Sequence, residues 1–109
     1  MNGLSSKRLC VAHLDRDGDL LGVSLSYSRC ADRIVVPMRQ IAADALRLGA
    51  HVMVVAHNHP SGDPTPSAED CRAAARLAEV AETLGIALRD HLVFAQGNNW
   101  RSFRALGLL

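Results

Sequence analysis

A chain of 109 residues, 49% hydrophobic and 21% charged, is long enough for one domain that buries its own core without staples. A formal net charge of +1 and only four aromatic residues (one Trp, one Tyr, two Phe) give no footing for a broad nucleic-acid or acidic-membrane surface. No apolar run is long enough to span a bilayer, and the amino terminus lacks the apolar core of a signal peptide, so a single cytoplasmic domain over residues 1–109 is expected. The three cysteines (Cys10, Cys30 and Cys71) have no metal-knuckle spacing and fit reduced thiols in that compartment.

Residues 1–6 form a short polar lead-in. Arg8–Leu14 reads as a strand, Asp15–Asp19 as a turn built on Asp17-Gly18, and Leu20–Tyr27 as the return strand. In the return strand Leu21, Val23, Leu25 and Tyr27 share one face, and Gly22, Ser24 and Ser26 share the other. The Asp-Gly-Asp segment lacks the glycine position and distal glutamate of a calcium loop. Arg33–Val36 predicts a short strand ended by Pro37. Met38–Leu48 then predicts a helix with an apolar stripe of Met38, Ile41, Ala42, Ala45, Leu46 and Leu48, stopped by Gly49. The β-branched run His51–Ala56 predicts a central strand buried on both faces.

His59–Pro66 holds three prolines and a glycine and is a stiff loop. Ser67 can cap the helix that follows, with Asp70 three residues on as its capping-box partner. That helix is expected to run to about Leu84, burying Cys71, Ala74, Ala75, Ala78, Ala81 and Leu77, with Gly85 as its end. Ile86–Ala95 predicts a further strand, Gly97–Asn99 a turn, and Trp100–Phe103 a strand pairing back. Strand, helix and buried strand in succession point to an α/β sandwich.

The chemistry-bearing stretch is Ala56–Asp70. Two histidines one residue apart at a strand end, His57 and His59, project to the same side, and Asn58 to the other. The Pro-rich loop brings Asp70 back toward them. Two imidazoles and one carboxylate suit zinc and leave a fourth position for water, the arrangement of a catalytic rather than a structural site. An isolated His-x-His would read more simply as two strand-end histidines, with Asp70 only supporting a helix start. The matched loop and Asp70 favour the metal.

His57-x-His59-Pro60, followed after ten residues by Asp70 with Ser67 three before it, resembles the JAMM (MPN-type) metalloprotease motif. The longer string His57-Asn58-His59-Pro60-Ser61-Gly62-Asp63-Pro64-x-Pro66-Ser67 is similar to the RadC branch, bacterial proteins historically labelled DNA-repair proteins. Asp90-His91 and Ser102-Phe103-Arg104 resemble that branch as well, so the likeness runs from about Lys7 to Leu109. The resemblance implies a cytidine-deaminase-like (JAB/MPN) α-β sandwich with a mixed, curved sheet flanked by helices. It implies Zn2+ on His57, His59 and Asp70, Ser67 as a catalytic residue that hydrogen-bonds the tetrahedral intermediate, and a peptide or protein substrate.

The chain also departs from the family. An active JAMM enzyme carries a glutamate general base on the early strand pair, and Leu20–Tyr27 has none. Ser24 aligns with that position to within about two residues. Asp19 falls on the opposite face, Asp32 in a turn, and Glu69 around the helix in solvent. Gln40 stands where the family's proline-arginine-glutamate segment carries an acid. Nothing here corresponds to the helical, DNA-binding-like amino-terminal region of longer members. Three functions stay open: a zinc-dependent amide or isopeptide hydrolase, a catalytically silent metal-binding domain for protein interaction, and a DNA-repair-associated accessory protein. Asp90-His91 reads either as support for a ligand or substrate, or as a satisfied strand histidine. His13, His51, Cys71 and the Arg101/Arg104 pair near Trp100 read as structural or solvated.

Overall fold

The computed structural model describes residues 7–28, 36–59 and 62–109. The expected lead-in, Cys30, Asp32, most of the Arg33–Val36 strand, and Pro60-Ser61 lie outside the described residues.

The elements in chain order are β1 (Lys7–Leu14), β2 (Leu20–Ser28), α1 (Met38–Leu48), β3 (Val52–Asn58), α2 (Ala68–Thr83), β4 (Ala87–Phe94) and β5 (Trp100–Ser102). The strands form one five-stranded sheet in the order β2-β1-β3-β4-β5. The β3–β4 pair is parallel and the other three pairs are antiparallel, so the sheet is mixed. Local chemistry sets the ends of these elements. In the β1–β2 turn the Asp15 carboxylate accepts from the N–H groups of Asp17 and Asp19, both at 2.9 Å, and Gly18 takes φ 90°. Gly49 ends α1 in the left-handed conformation (φ 69°), which a side chain would strain.

Both helices pack on one face of the sheet. Ile41 and Ala45 of α1 and Leu77 and Ala81 of α2 share a buried cluster with Leu9 and Val11 of β1 and Met53 and Val55 of β3. A smaller cluster joins Ala74, Val93 and Phe103 beside the metal-ligand end of the sheet. Among the described residues no helix covers the other face. This corrects the expectation for β3: it is central, yet Val54 and Ala56 are only half-buried. Two helix positions also differ from the predicted stripes. Leu46 is exposed on α1 and Ala75 on α2, while Leu77 is fully buried, because each contact face is narrower than the run of apolar residues.

The fold therefore presents one helix-covered face holding Leu9, Val11, His13, Ser24, His57 and His91, and an outer face holding Val23, Leu25, Tyr27, Phe94 and Trp100. Among the described residues no helix is long and apolar enough to cross a membrane.

Candidate metal centre

His57 is the penultimate residue of β3, and its register partner on β1 is Leu9. Alternation sends its imidazole to the helix-covered face, where it is 2% exposed. His59 lies just past the strand end, held by its own N–H to the Phe94 carbonyl (2.7 Å), and is also buried. Asp70 arrives from the first turn of α2. The Ser67 hydroxyl accepts from the Asp70 N–H (3.0 Å), and Asp70 Oδ2 accepts from the Ser67 N–H (2.9 Å), so the predicted capping box is formed.

One ligand atom from each of His57, His59 and Asp70 can be chosen so that all lie within 4.8 Å of one another. His59 Nε2 is 2.8 Å from Asp70 Oδ2, His57 Nε2 is 3.6 Å from Asp70 Oδ1, and the two Nε2 atoms are 3.2 Å apart. The far nitrogens explain this convergence. His59 Nδ1 donates to the Asp63 carbonyl at 2.8 Å, and a carbonyl only accepts, so in the neutral ring Nε2 carries the lone pair. His57 Nδ1 lies 2.7 Å from His91 Nε2, and when His57 is the donor in this contact its own Nε2 carries the lone pair. Imidazole lone pairs and a carboxylate that all face one point repel one another unless a cation lies between them. The donor set, two nitrogens and an oxygen, fits a divalent metal such as zinc.

Electrostatics agree with a site held ready for a cation. Burial is the main cause that lowers the His57 pKa, keeping the ring neutral, and it pushes His91 down to about 3, with the neighbouring His57 acting in the same direction. Burial opposes ionisation of Asp70, but the nearby His57 ring and the hydrogen bonding with Ser67 outweigh it and hold the carboxyl well below the usual range. Neutral imidazoles and an ionised carboxylate are the protonation states that metal ligands need.

His91 is the residue whose role spacing alone left undecided. It sits on β4 opposite Val55 on the same covered face, edge-on to His57 and stacked on Phe103 with centroids 4.4 Å apart. Its neighbour Asp90 faces outward and accepts from the Ser102 hydroxyl and the N–H groups of His91 and Arg104, tying β4 to the carboxyl-terminal turn. A partner that fixes a ligand's tautomer typically contributes 10–100-fold in metal affinity. His91→Leu is therefore expected to weaken zinc binding by about that factor with the secondary structure retained, as read by chelator competition and far-ultraviolet circular dichroism.

Two features had no sequence signal. Lys7 opens β1 on the covered face and is buried (8% exposed), and its charge helps keep His57 neutral. Ser24 is engaged away from the histidine pair. Its hydroxyl donates to Asp44 Oδ2 at 2.6 Å and lies 2.8 Å from His13 Nε2, in a cluster that Gln40 completes by donating to Asp44 Oδ1. The inward side chains of β2 are Gly22, Ser24 and Ser26, so no acid faces the centre from this strand. Glu69 is exposed, as expected. A cleft of about 400 Å³, lined in part by Arg8, Cys10, Leu25, Tyr27, Ala56 and Phe94, opens on the outer face, across the sheet from the His57 imidazole.

The buried histidines also set a pH dependence. Burial holds His13, His57 and His91 below the ordinary histidine pKa of about 6.5, so below that pH, and down to about pH 3 for His91, the unfolded chain binds more protons than the folded one. Stability of the metal-free protein should therefore be full above pH 6.5 and fall as pH drops through that window. The expected slope from His91 is about 1.4 kcal/mol per pH unit, with His13 and His57 adding in the same direction. Urea midpoints measured from pH 7.5 to 4 check this, and a flat profile would contradict it.

The family model of the RadC-like JAB domain matches residues 1–108. The chain belongs to this family. Similar relatives include UPF0758 proteins from Symbiobacterium thermophilum (38% identical over all 109 residues), Rhodobacter capsulatus (41% over 99 residues) and Ruegeria pomeroyi (40% over 99 residues). The chain covers 46%, 46% and 44% of these relatives, so it spans less than half their length. The mixed α/β sheet is the architecture expected of a RadC-like JAB domain, and the His-His-Asp group could bind a metal ion, as in JAMM-type domains.

Proposed function

We propose that the protein is a zinc-binding, hydrolase-type domain of the RadC/JAMM group that acts on an amide or isopeptide bond. The observation that carries this reading is the convergence of His57 Nε2, His59 Nε2 and Asp70 on one point, with both far ring nitrogens committed to other partners. Bound there, zinc would supply a water acidic enough to attack a carbonyl near neutral pH.

The chain's own residues would do the rest. His91 and the Asp63 carbonyl orient the two imidazoles, and the Ser67 N–H fixes Asp70 Oδ2. The Ser67 hydroxyl accepts from the Asp70 N–H, yet it is exposed and keeps its own proton to donate. That proton is the group proposed to hydrogen-bond charge developing on a substrate carbonyl oxygen.

A second reading, a metal-binding but catalytically silent domain that recognises a protein partner, is favoured by one observation. β2 offers Ser24 and Ser26 where a general base is needed, and Ser24 is already hydrogen-bonded to Asp44. A peptide-library cleavage assay on zinc-loaded protein, with and without chelator, separates the two. Cleavage that a chelator abolishes and Ser67→Ala reduces supports the hydrolase, and no cleavage from zinc-loaded protein supports the silent domain.

A further inference from the structure

Outside the metal centre, the free edge of β2 is the most unusual surface of the molecule. β2 ends the strand order, so its backbone pairs with β1 on one side and with no strand on the other among the described residues. Over nine residues, LLGVSLSYS, it carries neither a charge nor a proline, the devices that normally keep an edge from pairing. The opposite edge, β5, is only three residues long and carries Arg101. The β2 side chains on the outer face are apolar and open to solvent, with Leu25 65% and Tyr27 68% exposed, while the inward ones are small.

We propose that β2 pairs antiparallel with β2 of a second copy of this chain, about a two-fold axis at Leu25, joining two five-stranded sheets into one. Self-pairing about Leu25 sets Leu25 opposite Leu25, Val23 opposite Tyr27, and Ser24 opposite Ser26. Every pair then keeps to one face. The β-branched–aromatic and leucine pairs are favourable cross-strand neighbours, and no like charges meet. The irregularity in β1–β2 pairing lies between His13 and Leu14, opposite Leu20–Gly22, so the strand from Gly22 to Ser28 is regular and can present a straight ladder. On the outer face the guanidinium of Arg8, on β1, already lies over Tyr27 of the same chain, 5.8 Å from the ring centroid.

A second copy is the occupant that fits. An uncharged strand of alternating apolar and small residues matches itself, whereas a charged partner strand would find no counter-charge along it. The two-fold arrangement is also closed, so it uses up the edge without propagating a fibre. A contact of this length is small among stable interfaces, so the dimer is expected to be reversible and concentration-dependent.

Sedimentation velocity over a concentration series tests the proposal. The wild type should dimerise as its concentration rises. Leu25→Lys and Leu25→Glu, which set like charges opposite each other across the axis, should each be monomeric with unchanged circular dichroism. A one-to-one mixture of the two should dimerise again, and Trp100→Lys, on the far edge, should dimerise like the wild type. A wild type that stays monomeric would overturn the proposal and leave the edge to a partner of other chemistry. A dimer that survives Leu25→Lys, a mixture that stays monomeric, or loss of the dimer in Trp100→Lys would overturn it equally.

Discussion

Replacing Asp70 by alanine is expected to abolish tight zinc binding and to destabilise the metal-free protein by about 2–3 kcal/mol. One side chain serves both purposes. Its Oδ2 accepts from the Ser67 N–H and lies 2.8 Å from His59 Nε2, and its Oδ1 faces His57. Hydrogen bonds to an ionised group each contribute about 1.5–3 kcal/mol, and the variant also leaves the Ser67 N–H without its acceptor. Asp70→Asn separates the two effects, since an amide oxygen can still accept from Ser67 while the charge is gone. Stability in that variant should lie close to wild type and zinc binding should remain weak. Chemical denaturation together with metal titration of both variants makes the check, and full zinc affinity in Asp70→Ala would contradict the assignment of the ligand.

The second large effect is a gain. Restoring a glutamate at position 24 is expected to raise chelator-sensitive turnover by about 10²–10⁴, the usual contribution of a positioned general base. The structure adds a condition that sequence alone did not supply. Ser24 now donates to Asp44 at 2.6 Å, so Ser24→Glu alone would set two carboxylates against each other, raise the pKa of one and strain the packing of α1 on β2. Ser24→Glu with Asp44→Asn removes that repulsion and gives the new carboxylate an amide partner. The single variant should show the smaller gain and the lower melting temperature. Kinetics on a peptide substrate with and without chelator reads the rate, and no turnover from zinc-loaded double variant would favour the silent-domain reading.

Much of the fold was legible because local chemistry and periodicity agree in this chain. Gly49 after an apolar stripe, Asp17-Gly18 between alternating strands, and Ser67 with Asp70 each mark an end that the structure places within about a residue of its expected position. The convergence of His57, His59 and Asp70 was legible for the same reason: alternation at a strand end and a capping box each constrain where a side chain points. Burial was harder to read. Ala75 and Leu46 satisfy a helical stripe and are exposed, because a stripe records which residues could be buried and not how much partner surface exists to cover them. β3 reads as doubly buried, yet both helices chose one face, a tertiary outcome that no local pattern encodes. The link from His57 to His91 spans 34 residues and depends on the parallel register of β3 against β4, which the sequence does not specify. The same holds for the His13–Ser24–Asp44 cluster, assembled from two strands and a helix.

The most direct measurement is zinc titration of the metal-free wild type beside His59→Ala, read by calorimetry and by metal content after dialysis. His59 is the choice because its far nitrogen is held by a backbone carbonyl and its Nε2 makes the shortest contact with Asp70, so its removal opens the site without touching the capping box. The account predicts one tightly held ion per chain in the wild type and none retained in His59→Ala. A wild type that binds no zinc, or a variant that binds it equally well, would contradict the assignment of His57, His59 and Asp70 as a metal centre.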